Sequence, residues 1–135
     1  MSIGFGGYAD LVQADDKLVT YVYCCYNVNN VDYKQYMKME DGEIYIERVA
    51  FVEPEIHERI KKLPSGRKKN IVKRIPRSVP IDELLSAGKI RVKNASGTWR
   101  TTVSGTDIMA LKILFKLFNE YQVSGQLPEH ISWFS

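Results

Sequence analysis

Residues 104–125, SGTDIMALKILFKLFNEYQVSG, place the tightest restriction on what this chain can fold into. Ser104 is suited to cap a helix start, Asp107 three residues later completes a capping-box pattern, and Gly125 suits a left-handed end. Between Gly105 and Gly125 run about five turns without Pro or Gly, rich in Leu, Ala and Lys. Ala110, Leu111, Ile113, Leu114, Phe115, Leu117, Phe118 and Tyr121 cover more than half the circumference. Lys112, Lys116, Asn119 and Glu120 form the polar strip, which Met109 interrupts. A helix this apolar needs cover on two sides, so the pattern predicts a central core helix over 106–123.

Upstream, the period changes from helical to alternating. Tyr8–Gln13 and Lys17–Val28 read as a hairpin around Ala14-Asp15-Asp16. The second run is dense in β-branched and aromatic residues: Leu18, Thr20, Val22, Cys24 and Tyr26 on one face, Val19, Tyr21, Tyr23 and Cys25 on the other. Neither face is strongly polar, which predicts a central strand with the helix on one side and partial cover on the other. Tyr33–Met39 and Glu43–Phe51 suggest a second hairpin turned at Glu40-Asp41-Gly42. The glycine-rich entry IGFGG lacks the Gly-Lys-Ser/Thr ending of a phosphate loop and reads as a flexible lead-in.

Beyond Pro54, Ile56, Ile60 and Leu63 recur at i, i+4 and i+7, predicting a short helix near 54–62 stopped at Pro64-Ser65-Gly66. Lys68–Ile75 reads as extended, ending before Pro76. A second short helix is expected near 80–87, closed by Gly88. Lys89–Lys93 and Thr98–Val103 read as two short strands, and Ile131, Trp133 and Phe134 in the tail should be docked. The expected fold is therefore α+β: an antiparallel sheet of about four or more strands against one long C-terminal helix. At 135 residues the whole chain, 1–135, is one domain's length, with enough surface to bury roughly two-thirds of it.

The net charge of +3 conceals two opposed halves: residues 1–57 carry −6 and residues 58–135 carry +9. No apolar run approaches the roughly 20 residues of a membrane span, and no signal-peptide pattern opens the chain, so cytoplasmic residence is expected. Cys24 and Cys25 are adjacent, point to opposite faces of a strand and are poorly placed to bond each other. His57 and His130 stand in no metal-ligand spacing to them, and no cofactor is expected. Adjacent pairs such as Asp15-Asp16 and Asp82-Glu83 are explained by turns and helix dipoles.

Two surfaces remain as candidates. Seven tyrosines lie between residues 8 and 45, interspersed with acids. Tyr33, Tyr36, Asp41, Glu43, Tyr45 and Glu47 are accordingly the expected partner-binding set, an acidic and aromatic surface suited to a basic protein. Segment 59–77 gathers nine basic residues. Lys61, Lys62, Arg67, Lys68, Lys69, Lys73 and Arg74 are the expected contacts if a polyanion is bound.

The runs FVEPEIHERIKKLPSGRKK, KRIP and ALKILFKLFNEYQVSGQLPEHISWF resemble those of small single-domain bacterial proteins. Immunity proteins, which neutralise a cognate toxin by binding it, are of this general type. That is an analogy of type, which assigns no residue a role. The lack of a catalytic motif, with two surfaces of opposite charge and an aromatic-rich sheet, is what leads to the expectation of a non-enzymatic protein-binding module of this type, with a toxin as partner. The alternative is a nucleic-acid-binding protein using segment 59–77. A small enzyme is the third reading, and a homodimer is compatible with the opposed charges.

Overall fold

The strand that the tyrosines and β-branched residues predict to be central is central. A computed structural model describes residues 4–134, and in it β2 (Leu18–Asn27) is the middle strand of five. It pairs antiparallel with β1 (Phe5–Ala14) on one side and β3 (Gly42–Glu47) on the other. The order is completed by β6 (Ile90–Lys93) beyond β3 and β7 (His130–Phe134) beyond β1, both antiparallel. A separate two-stranded ribbon is made by β4 (Glu55–Lys62) and β5 (Lys68–Ile75). Short helices α1 (Tyr33–Tyr36) and α2 (Ile81–Ser86) and the long α3 (Ile108–Ser124) complete the α+β architecture. Among the described residues, no helix is long and apolar enough to cross a membrane.

The long helix packs on the face of the sheet formed by Ala9, Val19, Tyr21, Tyr23, Cys25, Ile44, Ile46 and Ile131, against its own buried Met109, Ala110, Ile113, Leu114, Leu117 and Phe118. Met109 thus belongs to the core and not to the polar strip. Val79, Ile81, Leu84 and Leu85 around α2 flank the same cluster. Cover on the remaining side is incomplete, for Phe115 is 70% exposed. The C-terminal end of α3 is as expected, with Gly125 at φ 76°.

At its start, Asp107 caps the helix, accepting from Met109 N at 3.0 Å, in place of the expected Ser104. The selection follows from burial. Asp107 is fully buried, and its Oδ2 also receives the Tyr23 hydroxyl at 2.8 Å and the Cys25 thiol at 3.3 Å, with Thr98 Oγ1 at 3.1 Å. Burial first, then the charge of Asp107, pushes the Tyr23 hydroxyl and the Cys25 thiol up, so both keep the protons they donate. The Tyr23 oxygen in turn accepts from Ala95 N at 3.0 Å, and Asp107 N donates to Asn94 Oδ1 at 3.0 Å. One carboxylate therefore ties the helix start to the central strand and to the loop after β6.

Five local expectations are corrected. Tyr33–Met39 is not a strand: Tyr33–Tyr36 forms one helical turn, and β3 pairs with β6 where a hairpin partner was expected. Ile3 of the glycine entry lies outside the described residues, and from Phe5 the entry is not a loose lead-in, since Phe5, Gly6 and Gly7 open β1. A Cβ on Gly6 would lie 2.8 Å from the Tyr26 hydroxyl, so the small residue serves close packing. Thr98–Val103 forms no strand, only a bridge between Thr101 and Asp107, and its Thr98 hydroxyl donates to Asp107. The tail is a full edge strand in register with β1, and although Ile131 is buried as expected, Phe134 is exposed where docking was expected.

The fifth correction is the largest. The helix expected near 54–62 is strand β4, because Ile56 and Ile60 at a spacing of four fit an alternating period as well as a helical one. Pro64-Ser65-Gly66 is the turn of a hairpin and not a helix stop. Leu63 O accepts from Gly66 N at 2.9 Å, Leu63 N donates to Arg67 O at 2.7 Å, and Gly66 takes φ 83°.

The Asp107 network yields a stability prediction. Loss of an exposed cap costs about 1 kcal/mol, whereas leaving buried donors unpaired adds about 1–3 kcal/mol. Asp107→Ala should therefore cost about 3 kcal/mol in urea unfolding at an unchanged m-value. A loss near 1 kcal/mol would mean that the carboxylate acts as a cap alone.

Candidate functional site

The face of the sheet turned away from α3 is where the acidic and aromatic half of the sequence is displayed. Strand register builds its rows. Lys93, Glu43, Val22, Asp10 and His130 lie side by side across all five strands, and Arg91, Tyr45 and Thr20 form the next row. Glu43 accepts the Tyr45 hydroxyl at 2.5 Å, and the Arg91 guanidinium lies 5.3 Å from the Tyr45 ring centre. Two of the residues expected to meet a partner are thus half-buried and already engaged with each other. Glu47 stands opposite the apolar Leu18.

The segment between β2 and β3 folds over the far end of this face. The Tyr8 hydroxyl donates to Met37 O at 2.8 Å, and the buried Cys24 thiol reaches the same oxygen at 3.7 Å. Asp41 accepts from Ser96 through both backbone N–H, at 2.9 Å, and the Ser96 hydroxyl. Asp41 therefore anchors a loop. Tyr36 packs over Gly97, where an added Cβ would come within 2.9 Å of the Tyr36 side chain. Tyr33 alone of the expected set lines a cavity of about 570 Å³, together with Tyr26, Val28, Met37 and Phe134, with Lys34 and Lys38 at its edge. Phe134 is 67% exposed there and Met37 37%. Sequence reasoning did not single out Met37, and it took Phe134 only for a docked tail residue, because β7 reaches this face through its pairing with β1.

The same face carries a small polar cluster. His130 Nδ1 is 2.6 Å from Asp10 Oδ1, and the rings of Tyr8 and His130 are 5.9 Å apart. Burial, with the neighbouring Asp10 carboxylate, pushes Glu40 up to about 7, while the hydrogen bond from His130 holds Asp10 below its ordinary value. Burial likewise pushes the Cys24 thiol up, so both cysteines remain as thiols. Among the described residues, no group of three or more His, Cys, Asp or Glu is arranged to hold a metal ion.

The second candidate surface is physically distinct. The ribbon of β4 and β5 is exposed along nearly its whole length, only Ile75 being half-buried. It carries Lys61, Lys62, Arg67, Lys68, Lys69 and Lys73 outward, while Arg74 is committed to its base. The Arg74 Nε donates to Gln122 O at 3.0 Å, at the carbonyl-rich end of α3. Gln122, itself buried, then clamps Arg77 by accepting from its N–H and donating to its carbonyl at 2.8 Å. His57 sits on this ribbon, 2.8 Å from Glu55.

The raised Glu40 value has a signed consequence. Folded Glu40 holds a proton that an unfolded glutamate has lost, so its contribution is full below the ordinary value of 4.5 and disappears as pH rises through about 7. Asp10 acts oppositely, its contribution being lost as pH falls through its lowered value. Thermal midpoints should therefore decline from about pH 5 to about pH 7.5 by an amount that Glu40→Gln removes. An identical pH profile in the variant would show that Glu40 is not the group responsible.

No family model, no curated protein and no solved structure matches the chain.

Proposed function

We propose that this chain is a non-enzymatic protein-binding module of the immunity type, which neutralises a partner by gripping it with the open face of its sheet. The observation that carries this reading is the cavity of about 570 Å³ lined by Tyr26, Val28, Tyr33, Met37 and Phe134, with Lys34 and Lys38. Aromatic residues and methionine are the side chains that interface cores favour, and Phe134 and Met37 stand exposed at its walls. Such a site suits one apolar side chain of a partner, inserted as an anchor. Around it, strands β1 to β3 and helix α1 all come from the half of the chain that carries −6, which favours a basic partner. Lys34 and Lys38 line the cavity itself and Arg91 and Lys93 stand on β6, so the negative charge that would attract a basic partner lies in the segments flanking α1, at Asp32, Glu40 and Asp41.

Immobilised wild-type chain should retain one protein from a lysate of its source cells, and the catch should survive nuclease treatment. An anchor residue is worth about 2 kcal/mol, so the pair Tyr33→Ala and Phe134→Ala should weaken retention by roughly thirtyfold or more. Co-expression of the wild type should relieve any growth inhibition by the captured protein, and that of the pair should not. Retention indifferent to the substitutions would count against this surface, and a catch abolished by nuclease would count against a protein partner.

A further inference from the structure

The β4–β5 ribbon has no part in the open-face site. Antiparallel pairing of eight residues a side projects it about 27 Å, and its hydrogen-bonded attachment is at the base, through Arg74, Arg77 and Gln122. From Arg59 to Lys73 the ribbon and its turn carry seven lysines and arginines and no acid. Among the described residues, the side-chain ion pairs are His57–Glu55 and His130–Asp10, so none of these seven cations is paired. Register makes the crowding worse: Lys61 lies opposite Lys69, and Lys62 opposite Lys68. Like charges directly across a strand pair are destabilising. A free two-stranded ribbon is itself only marginally stable. Its charge arrangement is therefore better satisfied by an external polyanion than by the chain itself.

Chemistry narrows the polyanion. The ribbon carries no Phe, Tyr or Trp, so it offers no platform on which single-stranded bases could stack. Its cations are spread over both faces and the tip: Lys62 and Lys68 on one face, Arg59, Lys61, Lys69 and Lys73 on the other, and Arg67 beside the turn. Such a distribution suits a ligand that surrounds the ribbon with phosphates. The major groove of B-form DNA, about 12 Å wide, admits a two-stranded ribbon between its phosphate walls, whereas that of A-form RNA is too narrow. We propose that the β4–β5 ribbon is an arm for double-stranded DNA, laid in the major groove with its lysines and arginines on the flanking phosphates. Contacts of this kind position without reading sequence, so binding is expected to be non-specific.

Fluorescence anisotropy of a labelled duplex, titrated with the full chain over a salt series, tests this. With about six phosphates neutralised, log affinity should fall against log salt with a slope of about −5, roughly a thousandfold between 50 and 200 mM. The triple variant Arg67→Ala, Lys68→Ala, Lys69→Ala should reduce that slope by about 2 to 3 at an unchanged melting temperature. A second triple variant of equal charge loss, Lys17→Ala, Lys89→Ala, Arg100→Ala, lies outside the ribbon and should leave the slope unchanged. Equal effects of the two variants would overturn the arm, as would no binding at low salt. Tighter binding to a single strand, to duplex RNA or to vesicles containing phosphatidylserine would overturn the assignment to duplex DNA. Because Tyr33 and Phe134 are absent from this surface, their double variant should bind DNA as wild type does, which separates this result from failure of the open-face site.

Discussion

A carboxylate with no access to water governs the arrangement of this chain. Asp107 is held in its place by donors from three separate segments, the central strand through Tyr23 and Cys25, the loop after β6 through Thr98, and its own helix through Met109. An isolated charge there would be prohibitively costly, and it is tolerated because several hydrogen bonds converge on it. Every element that meets at this point is placed by it. The start of α3 is tied to the central strand, and the loop held through Asn94 and Ala95 meets, through Ser96, the Asp41 that anchors the segment over the open face. The carboxylate on one side of the sheet therefore helps position the cavity on the other.

The ribbon follows a different logic. Where the five-stranded sheet has its charge on one face and a core behind the other, β4 and β5 have no core at all. Ile56, Ile60 and Val72, on one face of the ribbon, are each more than half exposed. Rigidity enters from the base, where Arg74 meets the carbonyl end of α3 and Gln122 grips Arg77 from both sides. The last turn of the core helix thus serves as the mounting for an element that otherwise stands in solvent.

Much of the fold was legible because the relevant signals were local. The β1–β2 hairpin, the central place of β2, the α3 span and its glycine end all follow from period and composition within a single segment. What was not legible depended on distant partners or on ambiguous periods. Ile56 and Ile60 satisfy both a helix and a strand, and only pairing with β5 decides between them. Tyr33–Tyr36 has strand-like composition yet lies over the end of a sheet whose edge positions are filled by β6 and β7, strands that come much later in the chain. The candidate surfaces divide in the same way. The basic cluster was visible as a charge run, although its form as a ribbon was not. The cavity was invisible, since Phe134 is brought beside Tyr33 by a pairing that spans almost the entire sequence.

The exposed ribbon has one consequence for how copies of this protein treat each other. Both of its outer edges present unpaired backbone groups, the feature by which strands of separate molecules recruit one another into extended sheets. Lysine and arginine along those edges act as a standing repulsion between copies, so the same side chains that attract an anion also keep the molecules dispersed. That protection is electrostatic and therefore conditional. It weakens as the screening length shrinks from about 10 Å in 0.1 M salt to about 3 Å in 1 M. An excess of polyanion would neutralise it outright, turning a guarded edge into an adhesive one.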